Sequence, residues 1–204
     1  MHRVIAYVDG FNLYHGLRER FGRQLHWLDL EALATSLLRP DQRLRGVRYF
    51  TARVRDQPRS ADRQQKYLAA LAAHSSVLEI VEGRFQERMI VCNTCGSRRR
   101  SYEEKESDVN LAVAMVRDAL LDRFDTALLI SADADLAPAI NEIRKLGGGK
   151  RVVAAFPPRR RSDALRRLAD GSFTIGDAKL RRAQLPPRVG RPSGPVLTRP
   201  AYWS

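Results

Sequence analysis

Two rhythms of apolar positions alternate along this chain. The first is a set of short unbroken runs: residues 3–9 (RVIAYVD), 46–54 (GVRYFTARV), 126–130 (TALLI) and 151–156 (RVVAAF). Rich in β-branched residues and bounded by turn formers, they predict strands buried on both faces. The second rhythm repeats every three or four residues and predicts helices. It appears at 11–21 and 60–73, and from Asp29, a capping residue, to a stop at Pro40. Ser107 is placed to cap a helix reaching about residue 124, with Val109, Val113, Val116 and Leu120 as its apolar stripe. A further helix opens at Asp133 or Asp135, tolerates Pro138 in its first turn, buries Leu136, Ile140 and Ile143, and stops at Gly147 to Gly149. Residues 77–81 and 85–91 predict two short strands turning at Gly83, followed by a polar, basic loop over 92–100. A short helix at 162–169 and an extended piece at 172–175 complete the set.

Strands alternating with helices predict an α/β fold, a mostly parallel central sheet with helices on both faces. Such a domain would occupy residues 1–177. Beyond it, Pro186, Pro187, Pro192, Pro195 and Pro200 break every rhythm. Residues 178–204 therefore predict a basic, proline-rich tail, extended or disordered.

Charge sharpens this picture. The net charge is +13. From Lys150 onward 13 Lys and Arg face 3 acids, whereas the preceding residues hold 23 against 20. A basic excess of this kind suits a polyanion, nucleic acid above all. No apolar run is long enough for a membrane span or an export signal, so a cytoplasmic protein away from membranes is expected.

The two best central strands end in acids. VIAYV runs into Asp9, Gly10, Phe11 and Asn12, and LLI into Ser131, Ala132, Asp133, Ala134 and Asp135. Asp108 opens the amphipathic helix that precedes the second of these strands, so a right-handed crossover brings it to the same sheet edge. Sites in parallel sheets form at that carboxyl edge. Gathered carboxylates repel unless a cation neutralises them, and hard oxygen ligands suit Mg2+ or Mn2+. Each acid also has an ordinary reading, as a helix cap, a turn residue or a favourable charge at a helix start. Their joint placement favours a site.

These segments carry a resemblance. VDGFNL (residues 8–13), KESDVNLAVAMVRDAL (105–120) and LLISADADLAPAI (128–140) resemble, in order, three motifs of the NYN domain, a family of the PIN-like nuclease superfamily. The resemblance spans about residues 4–156 and implies a Rossmann-like, PIN-type sheet and a metal-dependent ribonuclease. It implies a site of Asp9, Asp108, Asp133 and Asp135, supported by Asn12 and Ser131. The first three acids are expected as ligands of Mg2+ or Mn2+, and Asp135 as a ligand or as the group orienting the attacking water. The implied reaction is hydrolysis of RNA, single-stranded by preference, with no covalent enzyme intermediate and with 5′-phosphate and 3′-hydroxyl products. The family's third motif often has glycine where this chain has Ala132. Some relatives are binding or regulatory proteins, and a non-catalytic RNA-binding or regulatory module is the alternative.

Three further features bear on substrate and cofactors. Arg53, Arg98, Arg99, Arg100, Arg159, Arg160 and Arg161 are candidates for holding nucleic-acid phosphates, against a reading as solvated loops. Cys92 and Cys95 have the spacing of half a zinc site, which His74 or a second chain in a homodimer would have to complete. Tyr202 and Trp203 could stack on bases. No paired histidines support a metal-free ribonuclease mechanism. Phe11 stands where a phosphatase of the haloacid dehalogenase type needs its second aspartate.

Overall fold

Strand β1 (His2–Asp9) is buried from Val4 through Asp9 because a parallel neighbour flanks it on each side, β2 (Gln42–Ala52) and β5 (Thr126–Ile130). Both faces of such a strand meet helices, so its side chains are apolar without alternation. In the computed structural model, residues 1–55, 57–91, 93–191 and 193–203 are described. With β3 (Leu78–Val91), β4 (Arg98–Lys105), β6 (Arg151–Phe156) and β7 (Gly171–Thr174), the strands form one sheet in the order β4-β3-β2-β1-β5-β6-β7. The six from β3 to β7 run parallel, and β4 is antiparallel to β3.

Successive β1 residues point to opposite faces of the sheet. Val4, Ala6 and Val8 enter the core under α1 (Gly10–Phe21), α2 (Leu30–Ser36), α3 (Pro58–His74) and α7 (Asp177–Arg182). Ile5 and Tyr7 enter the core under α4 (Ser107–Leu120), α5 (Ala137–Lys145) and α6 (Asp163–Leu168). The α/β architecture with helices on both faces is thus as the sequence predicts.

Four details depart from that prediction. Residues 78–91 make one continuous strand, not two with a turn at Gly83. Gly83 instead permits a close approach, since a Cβ there would lie 2.7 Å from the Lys105 carbonyl oxygen and 2.8 Å from the Ser107 hydroxyl. Beyond Gly83, β3 leaves β2 and pairs with β4 alone, from Arg84 opposite Lys105 to Val91 opposite Arg98. The supposed basic loop is therefore partly strand, with residues 98–100 opening β4.

The face of α4 is the second departure. Leu111, Ala114, Met115, Asp118 and Ala119 are buried, while the expected core residues Val109, Val113 and Leu120 are exposed. Both sides of the helix are apolar, and a buried Asp118 hid the true one. Its carboxylate takes 2.8 Å from the Tyr7 hydroxyl and 2.7 Å from Arg48 Nε. Third, Ser107 lies inside the helix, and the cap position is Glu106, with φ 79°.

Fourth, the tail folds back. Leu180, Leu185 and Val189 are buried in the first core, β8 (Arg188–Val189) pairs with β9 (Leu197–Thr198), and Trp203 is only 9% exposed. The indole of Trp27 donates to the Pro186 carbonyl at 2.9 Å, and Leu185 N donates to the Trp27 carbonyl at 2.9 Å. Proline stops helices, yet it leaves neighbouring side chains free to bury. Trp203 packs on Trp27, Tyr67 and His26, and Tyr202 lies between the guanidinium groups of Arg23 and Arg63, so the stacking surfaces suggested for bases are occupied by protein.

At the amino edge of the sheet, Arg3 donates to Asp125 from both its backbone and its side chain, at 2.7 Å each. This holds the Asp125 carboxyl down at about 2. A depressed carboxylate stabilises the fold above its ordinary value near ~3.9 and loses that effect as the pH falls toward the folded value. Asp125→Asn should therefore lower the melting temperature at neutral pH, with the deficit closing by about pH 2. Thermal melts across that range read the difference directly, and a deficit independent of pH would contradict the assignment.

Candidate metal centre at the carboxyl edge of the sheet

Asp9 ends β1 and caps α1, its Oδ1 accepting from Asn12 N at 2.9 Å. The helix can begin this close to β2 because position 10 is glycine. A Cβ there would lie 2.6 Å from the Phe50 carbonyl oxygen and 2.9 Å from the Tyr49 ring. One strand over, Asp133 follows β5 and caps a single 3-10 turn (Ala134–Leu136), its Oδ1 accepting from Asp135 N at 2.9 Å. Asp108 sits in the first turn of α4, which returns the chain from β4 to β5. The three segments are distant in sequence, but carboxylate oxygens of Asp9, Asp108 and Asp133 lie within 4.8 Å of one another.

Two neutral side chains set this geometry. Ser131, fully buried, donates its hydroxyl to Asp9 Oδ2 at 2.7 Å and accepts from Asp133 N at 3.0 Å. Since an ionised carboxylate only accepts, the Ser131 proton is the one shared with Asp9. Asn12 accepts from Ala132 N at 3.0 Å and so ties the loop after β5 to the start of α1. Ala132 sits here without a positive φ, so the backbone does not call for a glycine. Both Asp9 oxygens accept protein hydrogen bonds, which fix the plane of the carboxylate. Beside them, burial, helped by the Asp9 charge, pushes the Tyr49 phenol up to about 12, so it stays neutral.

Three hard carboxylates with hydrogen-bonded supports could hold a divalent cation. Asp135 lies outside the trio, exposed on the 3-10 turn. Alternation along a strand end places residues 133 and 135 alike in sequence, and only the turn separates them.

The basic candidates fall in different places. Arg159, Arg160 and Arg161 follow β6 on the same edge, where a Gly16 without a Cβ lets α1 touch Pro157 and Pro158. Arg160 pairs with Glu19, and Arg161 lies 3.3 Å from Asp163. Arg53, past the end of β2, makes two 2.7 Å bonds to Glu82. Arg98 and Arg100 are exposed at the distal end of the β3–β4 hairpin, and the side chain of Arg99 lies outside the described residues.

Cys92 also lies outside the described residues. Cys95 is exposed, with its sulfur 3.1 Å from the Ser97 hydroxyl, and His74 is 3.1 Å from Asp29. Among the described residues the acidic trio is the one group of His, Cys, Asp and Glu side chains close enough to share an ion, so the zinc reading gains no support. No described helix is long and apolar enough to cross a membrane.

The sequence reading had residues 85–91 as a strand but missed its partner β4 and the arm that the two form. Its Phe85 meets Phe11 edge-on, with ring centroids 6.1 Å apart, one residue past Gly10.

Comparison with known proteins bears on this site. The family model of the NYN domain matches residues 3–177. The 6-hydroxy-3-succinoylpyridine 3-monooxygenase HspA of Pseudomonas putida is 27% identical over 175 residues, covering 70% of this chain and 55% of its own length. The chain thus spans about half the length of that curated relative. A solved structure of a protein of unknown function from Vibrio parahaemolyticus superposes with a TM-score of 0.58 at 18% identity, covering 86% of this chain and 94% of the other, a likeness of fold.

Proposed function

Since the chain belongs to the NYN domain family, we propose that it is a divalent-metal-dependent ribonuclease hydrolysing RNA phosphodiester bonds at the edge where Asp9, Asp108 and Asp133 meet. One observation carries the reading: carboxylates from three distant segments stand within 4.8 Å of one another, an arrangement that repulsion opposes unless a cation is shared. Mg2+ or Mn2+ bound there would lower the pKa of an attacking water and offset charge on the phosphoryl oxygens. The protein's own part is to hold the geometry. Ser131 fixes the Asp9 carboxylate, Asn12 locks the two strand-end loops together, and Asp135, exposed and outside the trio, is assigned to orienting the water rather than to the metal.

Arg159, on the neighbouring loop, is assigned to the substrate backbone. Arg53 joins it by exchanging Glu82 for a phosphate, a small cost for an exposed pair worth about 1 kcal/mol or less. RNA as the substrate, single-stranded by preference, rests on the family and on the basic charge. A binding module without turnover would keep the same surface.

The test is incubation with end-labelled single-stranded RNA and Mn2+ or Mg2+, with and without EDTA. The expected result is cleavage to 5′-phosphate and 3′-hydroxyl ends that EDTA stops and added Mn2+ restores. Cleavage indifferent to EDTA would refute the metal mechanism, and binding without cleavage would favour the module.

A further inference from the structure

The β3–β4 arm leaves the sheet beside the metal centre. At its base the Gly83 backbone closes on Ser107, the residue before Asp108. Opposed residues of an antiparallel pair project to one face, and that face recurs at every second residue. Phe85, Met89 and Val91 of β3 therefore share a face with Arg98 and Arg100 of β4, because the register sets Met89 against Arg100 and Val91 against Arg98. The ring contact of Phe85 with Phe11, two residues past Asp9, turns this face toward the start of α1. From Phe85 to Val91 it runs for about 20 Å. Met89 and Val91 are each 50% exposed, Phe11 and Phe85 are half-buried, and Arg98 and Arg100 are exposed. Arg98 makes no ion pair among the described residues. The arm's acids, at 87, 103 and 104, belong to its inner half, and residues 88–100 hold four arginines and no acid.

We propose that this face of the arm is the track along which single-stranded RNA reaches the metal centre. Arg98 and Arg100 hold its phosphates at the outer end, and Val91, Met89, Phe85 and Phe11 lie under its bases on the way in. A single strand offers phosphates and bare base faces together, which is the pairing of cations and apolar side chains found here. A duplex keeps its bases inside and would leave the apolar side chains unmatched. A charged membrane would match the arginines alone, and the continuity of the face with the acidic edge favours the strand. The direction of the track rests on the cleavage proposed above, whereas the binding does not.

The test is fluorescence anisotropy of an end-labelled oligouridine of about 20 nucleotides on the full chain carrying Asp9→Asn, so that the strand stays whole. Adding Arg98→Ala and Arg100→Ala should weaken binding by about 10-fold at low salt. It should also flatten the slope of log affinity against log salt by about 1.4, at ~0.7 for each phosphate released. Met89→Ser with Val91→Ser should weaken binding by about 3-fold at an unchanged slope, since no charge is removed. Arg43→Ala with Arg45→Ala removes two exposed charges from the opposite edge of the sheet and should change affinity by about 2-fold at most. Unchanged affinity and slope in the Arg98 and Arg100 variant, or an equal loss in the Arg43 and Arg45 variant, would overturn the proposal. So would loss of binding to phosphatidylserine vesicles with RNA binding intact. Arm-dependent binding in a chain that cuts no RNA would uphold the track and sink the ribonuclease reading alone.

Discussion

Asp9→Asn is expected to lower metal-dependent RNA cleavage by about 100-fold or more while leaving the protein folded. Asparagine keeps a carbonyl oxygen for the Asn12 amide, so the start of α1 stays capped. What it loses is the negative charge and one acceptor, the oxygen to which Ser131 now donates. Asp133→Asn should behave in the same way, because its cap to Asp135 N also needs only a carbonyl. Ser131→Ala leaves every acid in place but frees Asp9 to rotate, and a loss of about 10- to 100-fold is expected. Asp135→Asn, outside the trio, should cost less than either ligand substitution. Steady-state cleavage with Mn2+ titration ranks the four. If Asp9→Asn retained wild-type cleavage, or Asp135→Asn were the most damaging, the assignment of ligands would be wrong.

The largest effect on stability is expected under α4, where it covers β1 and β2. Asp118 has no exposure, and it receives hydrogen bonds from Tyr7 and Arg48, whose side chain is 9% exposed. Burial and the Asp118 charge push the Tyr7 phenol far up, so it remains a donor. Asp118→Ala would strand a buried hydroxyl and leave the buried Arg48 guanidinium with Glu79 as its remaining acid, at a cost of about 3 kcal/mol. In a domain of this size that is a fall in melting temperature of about 10 °C. The double variant Asp118→Leu, Arg48→Met removes both charges and should recover much of the loss, since apolar replacement of a buried pair is often close to neutral. Urea unfolding measures both. A single variant within about 1 kcal/mol of wild type would show that the pair is not needed.

The parts of this molecule that the sequence disclosed are those governed by one dominant rule. β1 and β5 are buried on both faces, so their apolar runs stand out, and an acid directly after such a run has only the carboxyl edge to occupy. Asp9 and Asp133 were legible for that reason, and Asp108 through the crossover rule. Where two rules compete, the pattern misleads. Helix α4 is apolar on both sides, and the pattern favoured the side without Asp118, although burial of Asp118 depends on Arg48, seventy residues earlier. Gly83 is a turn former by propensity, yet here it serves a close approach to the segment before α4, a partner invisible to local reading. The prolines after residue 185 concealed the apolar residues between them, whose burial depends on Trp27 near the other end of the chain.

The double duty of Asp9 and Asp133 bears on how this fold would drift. Each terminates a strand and starts a helical turn through its own side-chain oxygen, whether or not any cation is present. A descendant released from cutting would still be held by folding to a capping side chain at both positions, though asparagine would serve as well as aspartate. Across a lineage that lost its chemistry, positions 9 and 133 should therefore vary among capping residues only, and the negative charge should vanish there before the cap does.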